Sequence, residues 1–297
     1  MNAKQKQTKL FGILVSLFIL YSCSTNTNPL SGPWQVVGFY DEHQSIMTAG
    51  FLDETHVVTG GVIGQMAYSS DAAETWLETD SQADCRYGIE IVSPEVIWTC
   101  GGATNVRKSI DSGQTWQMLA AFGDPRTITN PCHSMSFLDE KIGWLANSNL
   151  FGTTTNGGLS WNMHTLPETA NKIATIDTYL PNEGYLLDQN GVLFFTQDDG
   201  AYWNRVSQLD LGELKMSFSV YQLAAMRFAD ANHGLIVVSS SDSGKGQVIA
   251  FHTTDGGQIW TSEVIPVIAG PVYLSREGNL LTVITGANQL TLLRYEE

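Results

Sequence analysis

One eight-residue pattern recurs five times along the chain: a hydroxyl residue, an Asp two places on, a Gly two places further, and a closing Trp. The copies occupy residues 69–76, 109–116, 154–161, 196–203 and 253–260. The second, Ser109-Ile-Asp111-Ser-Gly113-Gln-Thr115-Trp116, fits S/T-x-D-x-G-x-T-W at every position. The others depart at few places. Ala73 replaces the glycine of the first, Asn156 the Asp of the third, and Tyr202 and Ile259 the Thr of the last two. The closing residues Trp76, Trp116, Trp161, Trp203 and Trp260 are 40, 45, 42 and 57 residues apart. A period of that size marks one supersecondary unit, which must stack on its neighbours to bury its apolar surface.

The residue types predict a tight hairpin. The Ser/Thr hydroxyl and the side chains of Asp71, Asp111, Asn156, Asp198 and Asp255 are suited to hydrogen-bond the turn's own backbone. Gly113, Gly158, Gly200 and Gly257 supply a positive φ, and the Trp buries a large ring against adjacent strands. These residues are therefore assigned to structure rather than catalysis. No second carboxylate recurs at alternate positions, so no calcium cage, and no other metal or cofactor site, is expected. The runs before each hairpin, such as 134–138 and 142–146, or 224–228 and 234–239, are rich in β-branched and aromatic residues. They read as strands.

Four strands per unit predict an all-β propeller of antiparallel blades spanning residues 34–297. A sixth unit (271–274, 279–285 and 289–295) has three strands and no hairpin motif. Near the other end, Pro33-Trp34-Gln-Val-Val37 resembles the strand that follows each motif, as in Thr115-Trp116-Gln-Met-Leu119. This N-terminal strand is expected to close the last blade and remove the open sheet edge. Six blades then account for the chain; a seventh would require 208–223 to be more than a loop.

The repeat resembles the Asp-box, or bacterial neuraminidase repeat. It is preceded by an F-x-D/N…G-(W/L/Y) stretch, as in Phe137-Leu-Asp139…Gly143-Trp144 and Phe228-Ala-Asp230…Gly234-Leu235. Together these make the chain similar to the photosystem II stability and assembly factor family and its non-photosynthetic bacterial relatives. The resemblance implies a propeller that binds another protein as an assembly or scaffolding factor. The photosynthetic members are described as seven-bladed with a basic patch, and this chain departs from both features.

Residues 1–22 read as a lipoprotein signal peptide. Lys4, Lys6 and Lys9 precede an apolar run at 10–20, too short for a stable span, which ends at Leu20-Tyr21-Ser22-Cys23. The ending resembles a lipobox, which implies lipidation of Cys23 and a lipid anchor to a membrane. Residues 23–33 read as a polar tether. Ser24 is not the aspartate that retains lipoproteins in some inner membranes, so the expected location is the bacterial envelope, on the periplasmic side of the outer membrane.

Charge narrows the partner classes. Three of the 15 Lys+Arg and none of the 30 Asp+Glu lie in the leader, leaving 12 basic against 30 acidic residues, a formal charge of −18. Such a surface repels phosphate backbones, so nucleic acid is excluded as a partner. An envelope protein or a glycan is expected instead. Cys85, Cys100 and Cys132 fit no zinc pattern; in an oxidising compartment one disulfide and one free thiol are expected, with all three pairings open.

The competing reading is a carbohydrate-active hydrolase of sialidase-like architecture. Sialidases need an arginine triad, a Tyr–Glu pair and an Asp acid. Only Arg86, Arg107, Arg126, Arg205, Arg227, Arg276 and Arg294 follow the leader, and Arg126 lies in Pro-Arg-Thr-Ile. A carboxylate pair suited to glycoside hydrolysis is not ruled out by sequence. No GxSxG, HExxH, GxGxxG or P-loop occurs. The favoured reading is therefore a binding module rather than an enzyme. The motif turns join the third and fourth strands, so the long loops lie on the opposite face of the disc. The binding-face candidates there are Arg86, Tyr87, Arg126, His133 and Tyr221, residue types favoured at interaction hot spots.

Overall fold

The computed structural model describes residues 33–41, 45–81, 85–102, 105–123, 131–214, 216, 222–240 and 246–296. The leader, Cys23, Arg126 and Tyr221 lie outside them. Strand β1 (Trp34–Asp41) comes first. Blade one is β2 (Ile46–Phe51), β3 (Val57–Gly61), β4 (Gln65–Ser69) and β5 (Leu77–Asp80); blade two is β6 (Arg86–Ile91), β7 (Ile97–Gly101), β8 (Val106–Ser109) and β9 (Gln117–Met118). Blade three is β10 (Ser134–Phe137), β11 (Gly143–Ala146), β12 (Phe151–Thr154) and β13 (Asn162–His164); blade four is β14 (Ile173–Leu180), β15 (Glu183–Asp188), β16 (Val192–Thr196) and β17 (Asn204–Gln208). Blade five is β18 (Ala224–Phe228), β19 (Gly234–Ser239), β20 (Val248–Thr253) and β21 (Thr261–Ile265). Blade six is β22 (Val272–Leu274), β23 (Leu280–Gly286) and β24 (Gln289–Tyr295), completed by β1, which pairs antiparallel with β24. This is the six-bladed, all-β propeller the repeat predicts, closed by its N-terminal strand. The insertion at 208–223 adds no strand among the described residues.

The first strands of the blades touch in one ring: β2 with β6, β6 with β10, β10 with β14, β14 with β18, β18 with β22, and β22 back to β2. They line the axis, and the fourth strands, mostly exposed, form the rim. The apolar clusters lie mainly between neighbouring blades. Trp98, Phe137 and Leu145 knit blades two and three, and Leu193, Met226 and Ile236 knit blades four and five.

Stacking between blades explains the F-x-D…G stretch. Phe137 stacks on Trp98 of the preceding blade at 4.1 Å between centroids, and Phe228 on Tyr185 at 3.7 Å. The glycine opposite each Phe in the ladder makes room for the ring: a Cβ on Gly143 would lie 2.0 Å from Phe137, and one on Gly234 2.5 Å from Phe228. The Asp of the stretch caps the turn. Asp139 Oδ1 accepts the N–H groups of Lys141 and Ile142, as Asp230 does for Asn232 and His233.

The five hairpins share one hydrogen-bond scheme. In the second, Ser109 Oγ donates to Asp111 Oδ1 at 2.8 Å and accepts the Gly113 N–H at 2.8 Å. Asp111 in turn accepts the N–H and the hydroxyl of Thr115 at 2.8 and 2.6 Å. Asn156 serves as well because its Oδ1 still accepts the Ser160 N–H, while its Nδ2 donates to Ser160 Oγ. The fifth position takes a positive φ throughout: +80° at Gly113, +71° at Gly158, +85° at Gly200, +84° at Gly257, and +65° even at Ala73.

Three of the closing tryptophans latch their blade to the one before it by the indole N–H. Thr79, on the rim strand of blade one, accepts the Trp116 indole N–H and donates to Gly113 O; Ser207 of blade four does the same for Trp260 and Gly257. Trp161 donates to Ala120 O. Trp34 plays this part for blade six, its indole reaching Glu263 on blade five at 3.0 Å. At Trp203 the buried indole N–H finds no acceptor among the described residues. His164 stands there at the position of Thr79 and turns its ring to Thr153.

Of the three open cysteine pairings, the structure selects Cys100–Cys132, with Cα atoms 5.6 Å apart, and leaves Cys85 unbonded. The bridge ties β7 of blade two to the chain entering blade three.

Candidate binding site at the channel mouth

In four blades the first strand turns a polar residue toward the axis, just before the residue that pairs with Ile97, Gly143, Gly184 or Gly234 near the start of the second strand: Glu90, Ser136, Asp177 and Arg227. Arg227 of blade five reaches directly across the channel to Glu90 of blade two at 2.5 Å, and sideways to Asp177 of blade four at 3.2 Å. Asp177 is further held by the Ser136 hydroxyl at 2.9 Å and the Phe228 N–H at 2.7 Å. Arg276, in the first turn of blade six, also crosses the channel and donates to the carbonyls of Phe137 and Leu138 on blade three. Two arginines thus brace opposite blades at the end of the channel that carries the Asp-box turns.

Burial sets the electrostatics here. It pushes the Glu90 and Asp177 carboxyls above the usual carboxylate range, with the Arg227 guanidinium opposing. Burial also works against the Arg227 charge, but the two carboxylates outweigh it and raise its pKa. Buried charges persist only when paired and hydrogen-bonded, and this cluster meets that condition.

Two cavities open beside the brace. One, of about 250 Å³, is lined by Glu90, Ser136, Asp177, Tyr179, Arg276 and Glu277 among others. The second, of about 380 Å³, lies between blades five and six and shares Arg227, Phe228, Arg276 and Glu277 with the first. Among the described residues no cluster of His, Cys, Asp and Glu is arranged to hold a metal ion.

The candidates on the loop-rich face lie at the other end of the channel. Arg86 is fully buried and donates to Asn105 O. His133 is buried too. That burial lowers its pKa, with hydrogen bonds to the main chain of Pro131, Ala174 and Ile173 opposing. Tyr87 is half-buried, and its carbonyl accepts from Tyr273. The structure does not gather these three into one exposed patch. The brace escaped sequence reading because each member looks like a lone polar residue in a strand or a turn. Aligning the first strands blade by blade, rather than the hairpins, exposes the recurring polar position.

Comparisons with known proteins agree with this architecture. The family model described as photosynthesis system II assembly factor YCF48 matches residues 126–215. The photosystem II assembly lipoprotein Ycf48 of Synechococcus sp. (strain CC9902) is 26% identical over 182 residues, covering 60% of this chain. The chain spans about half (49%) of that relative's length. Among solved structures, YCF48 bound to D1 peptide superposes with a TM-score of 0.55 at 14% identity, covering 90% of this chain and 97% of its own. YCF48 from Cyanidioschyzon merolae gives 0.54 at 14% identity, covering 89% and 99%. An ancestral GH74 enzyme also gives 0.54 at 14% identity, covering 86% of this chain but 36% of the enzyme. At such identities the structures testify to the fold alone. The chain is a six-bladed β-propeller that resembles the photosystem II assembly factor family of Ycf48.

Proposed function

We propose that this propeller is an envelope assembly factor, tethered by lipid at Cys23 on the periplasmic side of the outer membrane, that binds a segment of another protein. The observation carrying binding over catalysis is the state of the two channel carboxylates. Glu90 and Asp177 are both engaged by Arg227, and Asp177 also accepts two further hydrogen bonds. A hydrolase needs one carboxyl free to protonate the leaving group and another free to attack or to activate water; here both are clamped. Arg276, by contrast, is held by main-chain carbonyls, which a partner's carbonyl or carboxylate can replace without stranding a buried charge. The kinship with an assembly lipoprotein, and the likeness to a propeller bound to a peptide, support the same reading.

The test is affinity capture from solubilised envelopes, comparing the mature chain with its Arg276→Gln variant by quantitative mass spectrometry. A protein retained by the first and depleted with the second is the expected result. Glycoside turnover abolished by Glu90→Gln, with no protein retained, would replace this reading with the hydrolase. Metabolic labelling with palmitate, lost in Cys23→Ser, checks the anchor.

A further inference from the structure

In blades one to five the Asp-box turn does more than join two strands: it is pressed against the preceding blade or its own inner turn. Gly113 packs against Tyr68, Gly158 against Trp98 and Leu119, Gly200 against Phe151, and Gly257 against Leu193. The turn is also pinned from within its blade by one recurring bond. The residue after the Asp donates its N–H to the inner turn, as Ser112 does to Glu95 O, Asp199 to Asn182 O and Gly256 to Asn232 O.

Blade six has no such turn, because its third and fourth strands come from opposite ends of the chain. Leu293 pairs with Leu281, as Ser109 pairs with Ile97, so Leu293 stands where the hydroxyl residue of a box would be. Tyr295 then stands at the box Asp position. Instead of turning there, the strand runs straight on, Tyr295 opposite Trp34, and Tyr295 N donates to Asn279 O on the inner turn. Among the described residues the surface of blade five that corresponds to the other seats is only partly covered, by the Tyr295 ring 5.0 Å from that of His252, and a groove stays open beside it. It is the 380 Å³ cavity, walled by Leu235, His252, Thr253 and Thr254 on one side and by Asn279 and Tyr295 on the other. Behind His252 the rim strand departs from the other blades. Glu263 occupies the rim position held by Thr79 in blade one, and it accepts from Trp34 and bonds His252 Nε2 at 3.2 Å.

We propose that this groove receives a tight, glycine-containing turn from a partner protein, which docks there as the chain's own boxes dock on the other blades. The inference rests on the protein-binding reading above and names where and how the partner is held. The volume lies in the range of about 300–1,000 Å³ typical of ligand clefts. The groove adjoins Arg276 at the channel mouth, so a segment seated by its turn continues naturally onto that side chain.

The probe is a cyclised hairpin peptide carrying residues 109–116 of this chain, titrated into the mature protein with Cys23→Ser. Saturable binding is expected, with NMR shifts concentrated at His252 and Thr253 and affinity at least about tenfold weaker in Thr254→Trp. A peptide of scrambled order should not bind. Absence of saturation up to about 1 mM, equal binding by the scrambled peptide, or shifts centred elsewhere would overturn the proposal. If Thr254→Trp fails to fold, the shift map on the unaltered groove still decides. A photo-crosslinker on Thr254→Cys, with Cys85→Ser, should capture the peptide. Cross-links to residues 24–32 or to a second copy of the chain count against it. If an envelope protein is captured equally well by the mature chain and by Thr254→Trp, the protein-binding reading stands and the groove assignment falls.

Discussion

At the residue scale, the first Asp-box carries a fault that the other four avoid. Ala73 holds a φ of +65°, with Ala72 beside it at +58°. A Cβ in the left-handed region costs about 1–2 kcal/mol, and glycine escapes that cost while losing more chain entropy. Ala73→Gly is therefore expected to raise stability by about 1 kcal/mol, read as a shift in the urea midpoint at unchanged m-value. A neutral or negative shift would show that the strain is relieved elsewhere. The box carboxylates supply a second prediction. Hydrogen bonds from the hydroxyl and N–H of Thr75 hold Asp71 below the usual range, and those from Thr115 do so at Asp111, where burial opposes them. A lowered carboxyl pKa stabilises the folded chain above the ordinary Asp value, and that contribution disappears as pH falls through the folded value. The stability gap between the wild type and Asp111→Asn should therefore be constant above about pH 4 and close as pH falls below it. Thermal melts that keep the same gap from neutral pH into strong acid would count against this account.

At the element scale, the latch between blades makes Trp34 the counterpart of the box tryptophans. It is 2% exposed, packs edge-on to Tyr295 at 5.1 Å and bonds Glu263. Trp34→Ala should cost about 3–5 kcal/mol. Hydrogen exchange should show protection lost first in β1 and β24; loss spread evenly over all blades would place the closure elsewhere. The disulfide offers a separate check. It closes a loop of 32 residues, so reduction should lower stability by about 3–4 kcal/mol, measured by melting with and without dithiothreitol. Much of this scale was legible in the sequence. Trp spacing gave the blade length, and the likeness of Trp34-Gln-Val-Val37 to Trp116-Gln-Met-Leu119 gave the closing strand. What escaped reading depends on partners far away in the chain. Nothing near Arg86 or His133 announces that both are buried, and nothing local distinguishes Cys132 from Cys85 as the partner of Cys100. Arg227 meets Glu90 only after the ring has closed, 137 residues apart.

At the scale of the whole molecule, the channel brace couples blades that share no edge. Because burial raises the Glu90 and Asp177 carboxyls, the folded chain binds protons there more tightly than the unfolded chain, and their ionisation weakens folding as pH rises. Arg227 offsets that loss. Arg227→Gln should thus cost about 3–5 kcal/mol near neutral pH, and the deficit should narrow as pH falls and the stranded carboxyls take up protons. A deficit independent of pH would mean that Arg227 acts through packing alone. The closing of blade six has a consequence in time as well as in space. Strand β1, made before the six blades' other described strands, pairs with β24, made after them, so the circle shuts only once β24 has been made. Blades one to five can take shape in order, but β1 must wait for β24. Until then the flanks of blades one and five stay open to mispairing and to chaperones, and loss of β24 would release β1 as well.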